Sequence, residues 1–306
     1  MSKLQFLNRK QFIARAALFT ATLLWGSTFV AVSSTNNFFK PNFLLALRFI
    51  PAGIILCIVF FKRLKNLNIS YVKAGAFLGF IMFIGYSLQA IAITTAGGLP
   101  GRSSFLVATY CVLVPFMSSI FSKKLPDKFN IFAAFLCLAG ISIISMPELL
   151  KEKGGINWGD AFSLISSVIF AFYIVVLPII IKKLDSVLIT ISQFAFAGLY
   201  ALMFSLLFED NSKTVWSTQS ISTLIYLTVL CTALCVLLQT IGQKDTPPTT
   251  AALIFSLESV FSIILSIVLT DEVLSVGIAS GCICIFVSII ISETKLSFLR
   301  PKKHYI

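Results

Sequence analysis

Uninterrupted apolar stretches of roughly 18 to 25 residues recur along the whole chain, each long enough to cross a hydrocarbon layer about 30 Å thick as a helix. Breaks marked by charge, proline, glycine and asparagine place the windows near 12–33, 42–61, 72–95, 101–121 and 129–146, then near 158–181, 187–208, 219–241, 249–270 and 274–292. With 58% hydrophobic and only 12% charged residues in 306, the composition is that of a chain whose solvent is lipid. In lipid every backbone polar group must be bonded internally, and the alternating ten-residue pattern of an outer-membrane barrel is missing, so the windows predict helices. The expected fold is an all-α polytopic membrane protein of ten transmembrane helices, with 1–11 and 293–306 as tails.

Lys3, Arg9 and Lys10 precede the first window, as they would a secretory signal, but that window is too long for a signal core and reads as a retained span. With the N-terminus in the cytoplasm, eighteen of the 24 Lys and Arg fall on the inner side and only Lys40, Arg102, Lys151, Lys153 and Lys213 on the outer side. That bias predicts both termini inside a cytoplasmic membrane. It also accounts for most of the net charge of +12. Basic residues scattered over short loops line no single groove, which argues against nucleic acid as a partner. The seven cysteines all lie within the windows, where they act as small apolar residues. No histidine accompanies Cys231 and Cys235 or Cys282 and Cys284, so neither pair suggests a metal site, and no cofactor is expected.

The two halves resemble one another. Sliding the second over the first aligns Phe49 with Phe194, Gly53 with Gly198, Trp25 with Phe170 and Arg48 with Gln193. With small shifts Gln89 meets Gln239, Tyr110 meets Glu258, and Cys137 meets Cys284. An odd number of spans per half makes the second half enter the membrane in the opposite sense. The expectation is an inverted repeat of 12–146 and 158–292, an architecture that supports alternating access around a midplane site.

The runs LLWGSTFVAVS, FLLALRFIPAG, QAIAITTAGGLPGRSSFLVATYCVLVP and LLQTIGQKDTPPTTAALIFSLESVFSIILSIVLTDEVL resemble the EamA family of the drug/metabolite transporter superfamily, and the resemblance extends over about residues 12–292. It implies paired five-helix repeats and secondary transport of small metabolites such as amino acids, often as export. Ser259 departs from it, because many relatives carry proline after the glutamate of the ninth span, which bears on a helix kink there.

Two ionisable residues sit deep in the windows, Arg48 and Glu258, and such residues are costly in lipid unless they face the bundle interior or water. Glu258 lies roughly 13 Å along its helix, near the midplane, where it binds a cationic group or a proton, or else ties its helix to a neighbour. Arg48 lies about six residues from its helix end, near enough to snorkel to interfacial water or to make a structural bond to a helix end; the functional reading is attraction of a solute carboxylate. Gln89 and Gln239 offer donors and acceptors without charge, suiting either a polar or zwitterionic solute or interhelical bonding. Trp25, Tyr110, Phe170 and Tyr173 are candidate pocket walls, with packing as the alternative reading. Pro115 and Pro178 are candidate hinges for gating. Gly75 with Gly79, and Gly281 near Ser280, mark close helix packing.

An enzyme would need a nucleophile, acid and base together, but the one histidine is His304 in the tail and no nucleotide loop or HExxH is present. The expected partners are a small-molecule solute and the bilayer. A cationic or nucleotide-like metabolite, taken up or exchanged, is the second cargo class if Glu258 faces the solute, and a channel or scaffold is the reading outside carriers.

Overall fold

A computed structural model describes residues 3–35, 38–94, 100–123, 125–151, 157–269 and 276–295. Among these, all regular structure is helical. In chain order the elements are α1 (Lys3–Trp25), α2 (Thr28–Ser33), α3 (Pro41–Val59), α4 (Ile69–Thr94), α5 (Pro100–Ala108), α6 (Tyr110–Ser122) and α7 (Lys128–Lys151). They continue with α8 (Trp158–Ile181), α9 (Ser186–Phe208), α10 (Thr218–Tyr226), a π-helical stretch Leu227–Leu234, α11 (Cys235–Lys244), α12 (Pro248–Phe255), α13 (Leu257–Leu269) and α14 (Val276–Thr294). Among the described residues, six helical segments are long and apolar enough to cross a bilayer: Pro41–Val59, Ile69–Thr94, Ser103–Ser122, Trp158–Ile181, Ser186–Phe208 and Thr218–Lys244. Lys128–Ile143 and Val276–Ser292 are shorter apolar helices. The protein is a multi-pass membrane protein, and side chains such as Ile58, Phe132, Leu206 and Ile283 present an apolar outer surface that lipid covers.

Lipid is as apolar as leucine, so helices associate in it through close packing rather than water exclusion. The small residues sit where the helices touch. Gly75 faces Ser192 and Gly79 faces the Gln193 carbonyl, seating α4 on α9 as the small-residue spacing predicts. Gly140 of α7 leaves room for the Gly281 carbonyl of α14. Between α3 and α9, Gly53 packs on Phe194 and Gly198 on Phe49 and Ile50, while the two phenylalanine rings stack at 5.9 Å.

Helix ends are closed by charged and polar groups. Glu209, just past α9, accepts from the Asn42 backbone N–H (2.9 Å), the Asn42 side-chain amide (2.8 Å) and the Phe43 N–H (3.0 Å), which caps α3 from a distant part of the chain. At the opposite end of the same helix pair, Asp185 caps α9 through the Val187 and Leu188 amides and accepts from Arg63, beyond α3, at 2.9 Å. Lys295 donates to Asp127 (2.7 Å) and Ser292 to Asn130 (2.9 Å), which clasps α14 to the start of α7.

Several windows that read as single helices are interrupted in the structure. The first breaks at Gly26-Ser27, the fourth at Thr109 and the ninth at Ser256, while the eighth widens into the π stretch. At two of the breaks a hydroxyl bonds back to its own helix: Thr109 donates to the Leu106 carbonyl (2.7 Å) and Ser256 to the Ala252 carbonyl (3.0 Å). The absence of proline at Ser259 therefore does not leave the ninth window straight.

Candidate functional site

Each of the three breaks, at Gly26-Ser27, Thr109 and Ser256, delivers a candidate residue to the same place. Trp25 is the last residue of α1, Tyr110 the first of α6, and Glu258 the second of α13. The first turn of a helix carries unpaired N–H groups and the positive end of its dipole, so a carboxylate at Glu258 is favoured there over mid-helix.

These three line one cavity within the bundle, together with Arg48, Gln89, Phe170, Tyr173 and Gln239. All eight residues singled out as binding candidates thus share one wall. Pro115 and Pro178 lie inside α6 and α8 and do not line it. Tyr86 and Phe255 add two further rings to the wall: Trp25 meets Phe255 edge-on at 5.6 Å, and Tyr86 meets Phe170 at 5.1 Å.

Arg48 does not snorkel. It is 2% exposed, and its Nε–H donates to the Thr232 hydroxyl at 3.1 Å. Among the described residues no second protein group engages its terminal amino groups. Glu258 forms no hydrogen bond or ion pair among the described residues, and Arg48 and Glu258 are not paired with each other. Gln89 and Gln239 likewise have no hydrogen-bond partner among the described residues, so two amides, a guanidinium and a carboxylate face the same space. Tyr173 has the proton of its hydroxyl committed, because it donates to Gln193 (2.9 Å). Trp25 is held by its indole N–H, which donates to the Cys231 carbonyl at 2.9 Å.

Three participants escaped the sequence reading. Tyr86 lies one helical turn before Gln89 and shares its face, which was the available signal; Thr28 follows Trp25 across the Gly26-Ser27 break, so helical spacing did not announce it. The Thr28 hydroxyl is buried without a hydrogen-bond partner beside the cavity. Thr232 had no signal, since a hydroxyl in an apolar span is unremarkable until its partner on another helix is known.

A bundle of membrane helices around an interior chamber lined with unpaired polar and charged groups defines a protein that handles a small solute within the bilayer. The EamA-like transporter family matches residues 13–146 and 157–294, and the chain belongs to that family. An uncharacterized transporter of Archaeoglobus fulgidus is 27% identical over 94% of this chain and 88% of its own length. The uncharacterized transporter YoaV of Bacillus subtilis is 24% identical over 70% and 74%. A solved crystal structure shares the fold with a TM-score of 0.76 at 18% identity, covering 94% of this chain and 98% of its own.

Proposed function

We propose that this transporter is a secondary carrier of zwitterionic metabolites, amino acids foremost, working by alternating access in the cytoplasmic membrane with both termini inside. The observation that carries the reading is the presence of Arg48 and Glu258 on one cavity wall with neither paired to the other. Buried ions without partners are costly. A solute bearing both a carboxylate and an ammonium answers both, with Gln89 and Gln239 supplying neutral donors and acceptors. A purely cationic metabolite would leave Arg48 unanswered, and a purely anionic one Glu258.

Two family matches along one chain support a reading as two five-helix halves within ten spans. The mutual seating of Gly53 on Phe194 and Gly198 on Phe49 supports it as well, because each contact becomes the other when the aligned halves are exchanged. The chamber includes Val32, Leu44 and Ile93, which lie toward the α2–α3 and α4–α5 connections. Near the N-terminus, Gly242 packs on Ala14 and Leu18 and Lys10 pairs with Asp245 (3.7 Å), which supports a conformer closed on the side of the termini. Export is the direction that the family resemblance implies.

The test is counterflow in proteoliposomes preloaded with a panel of amino acids and their decarboxylated amines, comparing the natural chain with Glu258→Gln and Arg48→Gln. Saturable exchange of amino acids, weakened about tenfold or more by either substitution, is expected, in line with truncating one partner of a desolvated charge contact. Absence of exchange across the panel by folded, inserted protein would overturn the reading. Unidirectional efflux against uptake then establishes direction.

A further inference from the structure

The π-helical stretch Leu227–Leu234 is wedged between α1 and α3, and its side chains sort by type. On one side Thr228 reaches the Leu47 carbonyl (3.5 Å) and Thr232 the Arg48 Nε (3.1 Å). On the other, the Cys231 carbonyl holds the Trp25 indole (2.9 Å), and just beyond the stretch the thiol of Cys235, the first residue of α11, donates to the Ala21 carbonyl (3.5 Å). Isolated π turns are rare and gather at functional sites. Here consecutive residues, Cys231 and Thr232, orient two side chains of the cavity wall, although neither residue lines the cavity.

We propose that Thr232 is a positioning residue for solute recognition, holding the Arg48 guanidinium so that its two terminal amino groups face a carboxylate in the chamber. A guanidinium is planar, with Nε–H on one edge and the paired terminal N–H groups available for fork-like contact with a carboxylate. Fixing Nε fixes the plane. Without that anchor the side chain turns about its flexible stem, and the fork loses its geometry while the charge remains. Thr232 thereby sets preference for carboxylate-bearing solutes without touching them. The inference rests on the zwitterion reading above and specifies which half of the solute this contact controls.

The experiment compares Thr232→Val, which keeps the shape and removes the acceptor, with Thr232→Ser, which keeps the acceptor. Each is measured in counterflow with amino acids and with the corresponding amino acid amides, which lack the carboxylate. Thr232→Val is expected to raise the half-saturation concentration for amino acids by on the order of ten- to a hundredfold, the scale of a hydrogen bond to a charged group, and to leave the amides nearly unchanged. Thr232→Ser should restore amino acid half-saturation, and Thr232→Val in an Arg48→Gln background should add nothing. Equal loss for acids and amides, failure of rescue by serine, or additivity with Arg48→Gln would overturn the proposal. Failure of the natural chain to exchange any zwitterion sinks the parent reading instead. A silent Thr232→Val in a working carrier sinks this one alone.

Discussion

Gly26 occupies the elbow between α1 and α2, and a methyl group there has nowhere to go. A Cβ at this position would stand 2.7 Å from the Phe261 Cβ, 3.0 Å from the Ser262 amide nitrogen and 3.1 Å from the Phe261 carbonyl carbon. Two of those atoms are backbone of α13, so no rotamer change relieves the contact. An ordinary separation of about 3.5 Å requires the elbow and α13 to part by roughly 0.8 Å. Overpacking of this kind typically costs about 1–3 kcal/mol. The displaced elements carry Trp25 and Glu258, so solute affinity should fall along with stability. Reversible unfolding in mixed micelles measures the first and counterflow half-saturation the second, for Gly26→Ala and the bulkier Gly26→Val. Leu23→Ala, at a lipid-facing site of α1, serves as control and should lie within about 0.5 kcal/mol of the natural chain. Gly26→Val as stable and as active as the natural chain would refute the argument that glycine is present here for close approach.

Glu209→Ala removes the acceptor for three N–H groups at the start of α3 and should cost about 1–2 kcal/mol in the same unfolding assay, by the cap and dipole effects together. An unchanged midpoint would mean that water replaces the cap without loss. The Asp127 carboxyl, in the connection before α7, is held below its ordinary range chiefly by its hydrogen bond from Lys295. A depressed carboxylate contributes stability above its unfolded value near 3.9, and that contribution disappears as pH falls through the folded value. Between pH 6 and strongly acidic conditions the α7–α14 clasp should therefore weaken, and Asp127→Asn should flatten that part of the profile, as read by hydrogen exchange at the start of α7. The pair is partly exposed, so the effect should be small and reduced by salt.

What was legible in the sequence follows from what lipid penalises. Arg48 and Glu258 stand out because an ionisable residue in an apolar window demands an interior role, and the structure puts both on the cavity wall. Gln89 and Gln239 stand out for the same reason at lower cost. Helical windows were legible for their length and composition, but their interruptions were not. Nothing local announces a break at Thr109 or Ser256, because hydroxyls bond back to their own helix at Ser142, Thr190 and Thr240 as well, where the helix runs on unbroken. Depth along one helix could not separate the readings of Arg48, because its hydrogen-bond partner Thr232 lies 184 residues away on another element. Glu209 capping α3 is another contact between distant segments that no local spacing announces.

Under the proposed exchange of halves, the cavity wall has a pattern that neither half alone explains. Trp25 and Phe170, Gln89 and Gln239, and Tyr110 and Glu258 are aligned pairs, and both members of each line the chamber. A site shared by equivalent positions lies on the axis relating the halves, where a solute keeps its contacts as one half takes up the other's arrangement. The charges break that equivalence. Arg48 aligns with Gln193, which does not line the cavity and instead accepts from the Tyr173 hydroxyl, and Glu258 aligns with Tyr110. The uncharged pairs supply a surface common to both conformations, while one cation from the first half and one anion from the second give a zwitterion a single preferred orientation. Reversing the solute would place like charges together, a cost of several kcal/mol by the general penalty for like-charge juxtaposition. A carrier built this way should distinguish a zwitterion from its amide or amine more sharply than it distinguishes one apolar side chain from another, because the aromatic wall offers area without direction and the two ions offer direction without area.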